Sequence, residues 1–172
     1  MALAAAMTIV LGGCNGGPAT DGPLGGGAFG SISGGDDCVP GHPGRPQAFG
    51  DVRYANQGHA TVVLDRVILV HPINERLIGS YAVPGMRLIG VPGNWPPKYP
   101  GIAAEWKDRQ PVHGFRLAPG KSFNMVLGVV AASAGAARSR GMVVYYHDSA
   151  GSYLLTNHLA MTIAVNKPQG CN

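Results

Sequence analysis

The stretch Ser122-Phe123-Asn124-Met125-Val126-Leu127-Gly128-Val129-Val130 decides the fold class. Phe123, Met125, Leu127 and Val129 recur at every second position, so an extended chain puts them on one face and Asn124 and Gly128 on the other. A helix would spread these four around its circumference. Outward from this strand the same period returns. Tyr153, Leu155, Leu159, Met161, Ile163 and Val165 share a face opposite Thr156, His158 and Thr162. Gly141 to His147 reads as the strand before it, and Asp148-Ser149-Ala150-Gly151 as the hairpin loop that joins the two. Thr61 to Val70 is continuously apolar except at Asp65-Arg66, as expected of a central strand or of one that bends at that pair. Further strands are expected near Gly50 to Asn56, Arg76 to Val83, Met86 to Val91 and Phe115 to Leu117.

The punctuation agrees with this reading. Pro-Gly pairs start at Pro40, Pro43, Pro84, Pro92, Pro100 and Pro119. Each suits a type II turn, in which proline sets the first central φ and glycine supplies the positive second one. With many turns and no long amphipathic helix, the expectation is an all-β, immunoglobulin-like, two-sheet antiparallel sandwich of about seven or eight strands in about 130 residues.

The chain has 172 residues, 45% of them apolar and only 13% charged, with a net charge of +4. A typical chain carries about 25% charged residues. Its nine arginines and four lysines are scattered, with one close pair at Arg138 and Arg140. Scattered cations do not make the concentrated footprint of a nucleic-acid protein, so no nucleic-acid partner is expected.

Ala2 to Leu11 is an apolar run about half as long as a membrane-spanning helix requires. Leu11-Gly12-Gly13-Cys14 follows it and resembles the lipobox of bacterial lipoproteins, although no Lys or Arg precedes the run. The resemblance implies a signal peptide over 1–13, lipidation of Cys14, and a bacterial protein anchored on the extracytoplasmic face of the cell membrane. Two acyl chains give stable anchoring where one is marginal. Residues 14–37 are glycine-rich and are expected to be a disordered tether with a reach on the order of 25 Å. The G-x-G-x-x-G spacing of Gly25, Gly27 and Gly30 inside it lacks a flanking strand and helix, and is read as an accident of composition. With Cys14 committed to lipid, Cys38 and Cys171 remain to pair as a disulfide at the two ends of a domain over 38–172.

Asp51 to Asn56, Ala60 to Val70, Leu117-Ala118-Pro119-Gly120-Lys121, Val143 to His147 and Tyr153 together resemble the small exported immunoglobulin-like domains of bacterial envelope lipoproteins. The resemblance implies fold and location, and it carries over no functional residue.

Both tryptophans lie in the irregular stretch Pro92 to Gly114. Trp95, Tyr99, Trp106 and Arg109 form the candidate binding surface, flat apolar rings beside a cation, with Lys98, Lys107 and His113 nearby in sequence. The alternative is that these rings fold inward and close one end of the sandwich. The six histidines have no metal-ligand spacing; His147-Asp148 reads as a solvated turn, and His158-x-x-Met161 puts its two members on opposite faces of a strand. No recognised carboxylate pair, nucleophile elbow or phosphate loop is present, so neither an enzyme nor a cofactor is expected. The expected function is a membrane-anchored binding or accessory module that engages another envelope protein or a cell-wall component. The alternatives are a structural envelope protein without a ligand and, below it, an enzyme or metal-binding protein.

Overall fold

The computed structural model describes residues 17–26, 35–85, 93–97, 103–166 and Cys171. The expected signal peptide over 1–13, Cys14, the strand expected at Met86 to Val91, and Tyr99 lie outside the described residues.

The strands are β1 (Leu24–Gly26), β2 (Asp36–Gly41), β3 (Pro46–Asn56), β4 (Val62–Leu69), β5 (Glu75–Pro84), β6 (Gly93–Asn94), β7 (Gln110–Pro111), β8 (Arg116–Leu117), β9 (Ser122–Ala131), β10 (Ala137–Ser139), β11 (Met142–His147), β12 (Ser152–Asn157) and β13 (Ala160–Val165). One five-residue helix, α1 (Ala103–Lys107), interrupts them. The all-β class holds.

One layer is a six-stranded sheet in the order β1-β3-β9-β5-β7, with β6 also paired to β3. The expected single second sheet is two sheets instead, β12-β11-β4-β8 and β10-β13-β2. The split has a local cause. A long hairpin runs out through β10 and β11 and back through β12 and β13, pairing Met142 with Asn157 and Ser139 with Met161. Between these pairs Gly141 takes φ +131°, and a Cβ there would collide with the carbonyl oxygen of Asn157. Only glycine fits this break. Asn157 supports the other side of it by accepting the Leu159 N–H at 2.7 Å. The turned strand β13 then takes β2 as a parallel neighbour, so the sandwich is not wholly antiparallel.

The three sheets share one core. Phe49, Tyr54, Phe123, Met125 and Leu127 from the large sheet meet Leu64, Val144 and Tyr146 from one small sheet and Met161, Ile163 and Val39 from the other. Phe123 contacts Tyr54 and Phe115 with ring centroids 5.4 and 5.2 Å apart. The expected bend at Asp65-Arg66 is a β-bulge. Tyr145 pairs with Arg66 and Tyr146 with Leu64, which leaves Asp65 unpaired in the ladder. Two of the Pro-Gly pairs close turns as expected: Arg45 N–H bonds His42 O with Gly44 at φ +73°, and Lys121 N–H bonds Ala118 O with Gly120 at φ +69°. Pro40-Gly41 instead lies inside β2, at the edge of its sheet, where a missing N–H costs no ladder bond.

The tether expected over 14–37 is in part built into the fold. Ala19 exchanges backbone bonds with β12 around Tyr153, and β1 pairs with β3 from Tyr54 to Asn56. Leu24 is the reason: it is an isolated aliphatic side chain among glycines, and it is buried in the core with its N–H on the Tyr146 hydroxyl. Gly22 lets the chain pass this close, since a Cβ there would overlap Tyr146 and Tyr153. The folded body therefore begins ahead of Cys38.

Cys38 and Cys171 are bonded to each other across a sequence separation of 133. A loop of that length corresponds to about 5 kcal/mol in the chain-entropy model, an upper figure. Reduction is expected to lower the melting temperature by several degrees while leaving the far-ultraviolet spectrum strand-like. An unchanged thermal scan in reductant counts against a stabilising role.

At the start of β5 the Glu75 side chain is buried beside Ser139. Burial raises its carboxyl from the ordinary 4.5 to about 7, and the Ser139 side chain offsets part of the rise. Between those two values the native state holds more protons than the unfolded chain. The Glu75 contribution to stability is therefore fully present below pH 4.5 and is lost as pH rises through 7, by at most about 3 kcal/mol. Glu75→Gln is expected to flatten this slope and to be more stable than the parent at pH 8, as read by urea titration across pH.

Candidate functional site

The large sheet has a second face, turned away from the core. Alternation along β9 places Val126 and Gly128 there, and the register sets Tyr81 against Val126 and Gly79 against Gly128 on β5 and Ala48 against Gly128 on β3. The row Ala48-Gly128-Gly79 is thus a shallow trough of small residues across three strands. The indole of Trp95 lies in it. A Cβ on Gly128 would come within 2.6 Å of that ring, and one on Gly79 within 3.1 Å.

Trp95 arrives there because β6 pairs with β3 and its own N–H reaches the Pro46 carbonyl. Trp106 is delivered by α1. Its ring stands edge-on to Trp95 at 5.7 Å and to Tyr81 at 5.4 Å, and Tyr81 lies 5.7 Å from Trp95. These separations are within the range where aromatic pairs attract beyond simple burial. Val83 and Val126 are the fully buried floor, with Trp95 and Trp106 packed on it.

Arg109 completes the group. Its guanidinium lies 4.8 Å from the Trp106 ring centroid and 5.8 Å from that of Tyr81, and it donates to the Trp106 carbonyl at 2.9 Å. One side chain thus satisfies the end of α1 and stacks on two rings. Arg109 is exposed, while both tryptophans and Tyr81 are half-buried, so the cluster presents ring edges and a cation to solvent.

Of the sequence-derived surface, Trp95, Trp106 and Arg109 come together, and Tyr99 lies outside the described residues. The rings close no end of the sandwich. They cover the outside of its larger sheet. Tyr81 belongs to the cluster and was not expected there, since it sits within a strand with nothing in its own neighbourhood to mark it. The signal that bears on it is the small-residue row, because Gly79 and Gly128 on facing strands leave room for a large ring.

His113, near the tryptophans in sequence, belongs elsewhere. It donates to the Asp65 carbonyl at 2.9 Å, and His147 donates to the Asp65 carboxylate at the same distance. Both imidazoles thus fasten the bulge in β4, and His147 is engaged with Asp65 instead of forming a turn with Asp148. Asp148 instead accepts the N–H groups of Ala150 and Gly151 in the hairpin loop. Among the described residues no group of three or more His, Cys, Asp or Glu is placed to hold a metal ion.

No family model and no curated protein matches the chain. Among solved structures it is similar to the ASH/PapD-like domain of human CEP192 (PapD-like domain 7), at 10% identity and a TM-score of 0.42, covering 96% of this chain and 100% of that one. It is also similar to the Vibrio cholerae VesB protease, at 11% identity and a TM-score of 0.39, over 74% of this chain. The chain spans 29% of the length of that protease chain. At these similarities neither protein's residues nor its activity transfers.

Proposed function

We propose that the chain is a membrane-anchored extracytoplasmic lipoprotein of the bacterial envelope that acts as a binding or accessory module. Its recognition face is Trp95, Trp106, Tyr81 and Arg109, and its partner is another envelope protein or a cell-wall component. The observation that carries the reading is the aromatic cluster. Three rings from β5, the β6 segment and α1 converge with a stacked guanidinium outside the main core. Rings held this way lose little freedom on binding, and Trp, Tyr and Arg are the residues that dominate interface energetics. The Leu11-Gly12-Gly13-Cys14 motif supports the location, and the disulfide fits an oxidising compartment.

Anchoring has a direct test. Cys14→Ser is expected to move the protein from the membrane fraction to the soluble one and to abolish labelling by a fatty-acid analogue. An unlabelled, soluble parent protein would overturn the lipoprotein reading. Recognition is tested by co-sedimentation of the full chain with isolated envelope fragments. The pair Trp106→Ala and Arg109→Ala should each weaken retention roughly tenfold, equivalent to about 1.4 kcal/mol. Equal retention of parent and variants would leave the cluster a structural cover only.

The trough makes a separate prediction. A glycine-to-alanine change in a strand is ordinarily neutral or mildly stabilising, but at Gly128 the new methyl meets the Trp95 indole. Gly128→Ala is expected to cost about 1 to 3 kcal/mol and to red-shift tryptophan emission. In the Trp95→Ala background most of that cost should vanish.

A further inference from the structure

At the end of the sandwich where β2 turns into β3, a cavity of about 480 Å³ opens between the layers. Its walls are Pro40 and Ala164, and its polar lining is His42, Arg45, Gln47, Asn94 and Asn166. The fold assembles these from distant segments. The turn from His42 to Arg45 supplies the rim, Gln47 is the first inward-facing residue of β3, Asn94 pairs opposite it from β6, and Asn166 ends β13 at φ +55°.

Gln47 is the telling residue. It is only 6% exposed, yet its side-chain amide makes no hydrogen bond among the described residues, and it lines the cavity. The amide is not sealed from water: it opens onto the cavity, where the polar groups of a ligand can take the place of solvent. Around it the lining is rich in donors. Among the described residues the exposed Arg45 guanidinium has no ion pair and no carboxylate belongs to the lining. His42 Nδ1 lies 3.2 Å from Asn166 Oδ1, which leaves the Asn166 NH₂ free to donate.

We propose that this cavity binds the C-terminal carboxylate of a peptide. One guanidinium supplies one full positive charge, which suits a monoanion rather than a phosphate dianion, and its planar fork matches a carboxylate. The carboxamides of Gln47 and Asn94 each offer an acceptor as well as two donors, so they pair with the amide N–H that precedes a terminal carboxylate. The volume is several times that of a lone anion and lies in the usual range for small-ligand sites. The cavity is open to solvent and shares no residue with the aromatic cluster on the outside of the large sheet, although Asn94 and Trp95 are neighbours in the chain.

The test is a titration of the full 172-residue chain with N-acetyl-Ala-Ala, followed by NMR of the Gln47 and Asn94 side-chain NH₂ signals. Saturable shifts at millimolar peptide are expected, with binding weakened roughly tenfold or more for the C-terminal amide of the same peptide and for Arg45→Gln. Arg45 is exposed, so that variant is expected to keep the parent's melting temperature; Gln47→Leu, which replaces a buried amide by a similar apolar volume, should lose the shifts as well. Acetate should bind more weakly than the peptide. The proposal is overturned by an absence of shifts, by equal binding of acid and amide, by an unaffected Arg45→Gln, or by inorganic phosphate binding as well as the peptide.

Discussion

Strand β9 is buried on both faces, from Phe123 to Ala131, and the rest of the molecule is arranged to allow it. Its two edges are satisfied by β3 and β5, and its inner face by the small sheets. Among the described residues no further sheet covers the outer face, with Val126, Gly128 and Val130. Trp95 and Trp106 take that place. Burying a valine is worth about 1.5 to 3 kcal/mol, so the shielding of Val83 and Val126 contributes to holding Trp95 and Trp106 in place. The proposed recognition face is thus held by the same packing that completes the fold, and its rings are fixed without any ligand.

The opposite layer solves a different problem. The hairpin through β10 to β13 is turned at Gly141, so β11 and β12 belong to one small sheet with β4, and β10 and β13 to the other, with β2 on the outer edge of β13. The disulfide then ties Cys38, inside β2, to Cys171 near the chain end. Asparagines stabilise the other direction changes with their side chains. Asn56 donates to the carbonyls of Ala60 and Leu117 and accepts the Gly58 N–H, and Asn74 at φ +53° spans to Ser133. Polar side chains bonded in this way act as joints between strands.

The long strands were legible in the sequence because each buries a face against the core, and burial writes a period of two. Phe123, Met125, Leu127 and Val129 all fall in the core cluster, as their spacing requires. What the sequence did not disclose depends on pairing across distance. The two- and three-residue strands β1, β6, β7, β8 and β10 are too short for a period, and of these only β8 lay within an expected strand. β1 was hidden by glycines that signal flexibility in isolation but allow close packing once Tyr146 and Tyr153 are beside them. The candidate surface was half legible: two tryptophans and an arginine stand out in an irregular stretch, but Tyr81 joins them only through the register between β5 and β9. Gln47 and Arg45 were invisible for the same reason, since a cavity between layers leaves no local pattern.

The order found between Ala19 and Leu24 changes what the lipid-anchor reading implies for the domain's placement. A disordered tether reaching to Cys38 would let the domain drift by tens of ångströms and turn freely. Ala19, however, is bonded to β12 on both its N–H and its carbonyl, so the fold is engaged five residues after Cys14. Five residues reach at most about 18 Å when fully extended. On that reading the edge of β12 near Ser152 stays close to the membrane, and residues 19–26 are a strap across the sandwich from β12 to β3. The tie is strong only if Leu24 keeps its place in the core. That one aliphatic side chain therefore links the anchoring geometry to the packing between Tyr54 and Tyr146, and the glycines around it serve close approach as much as freedom.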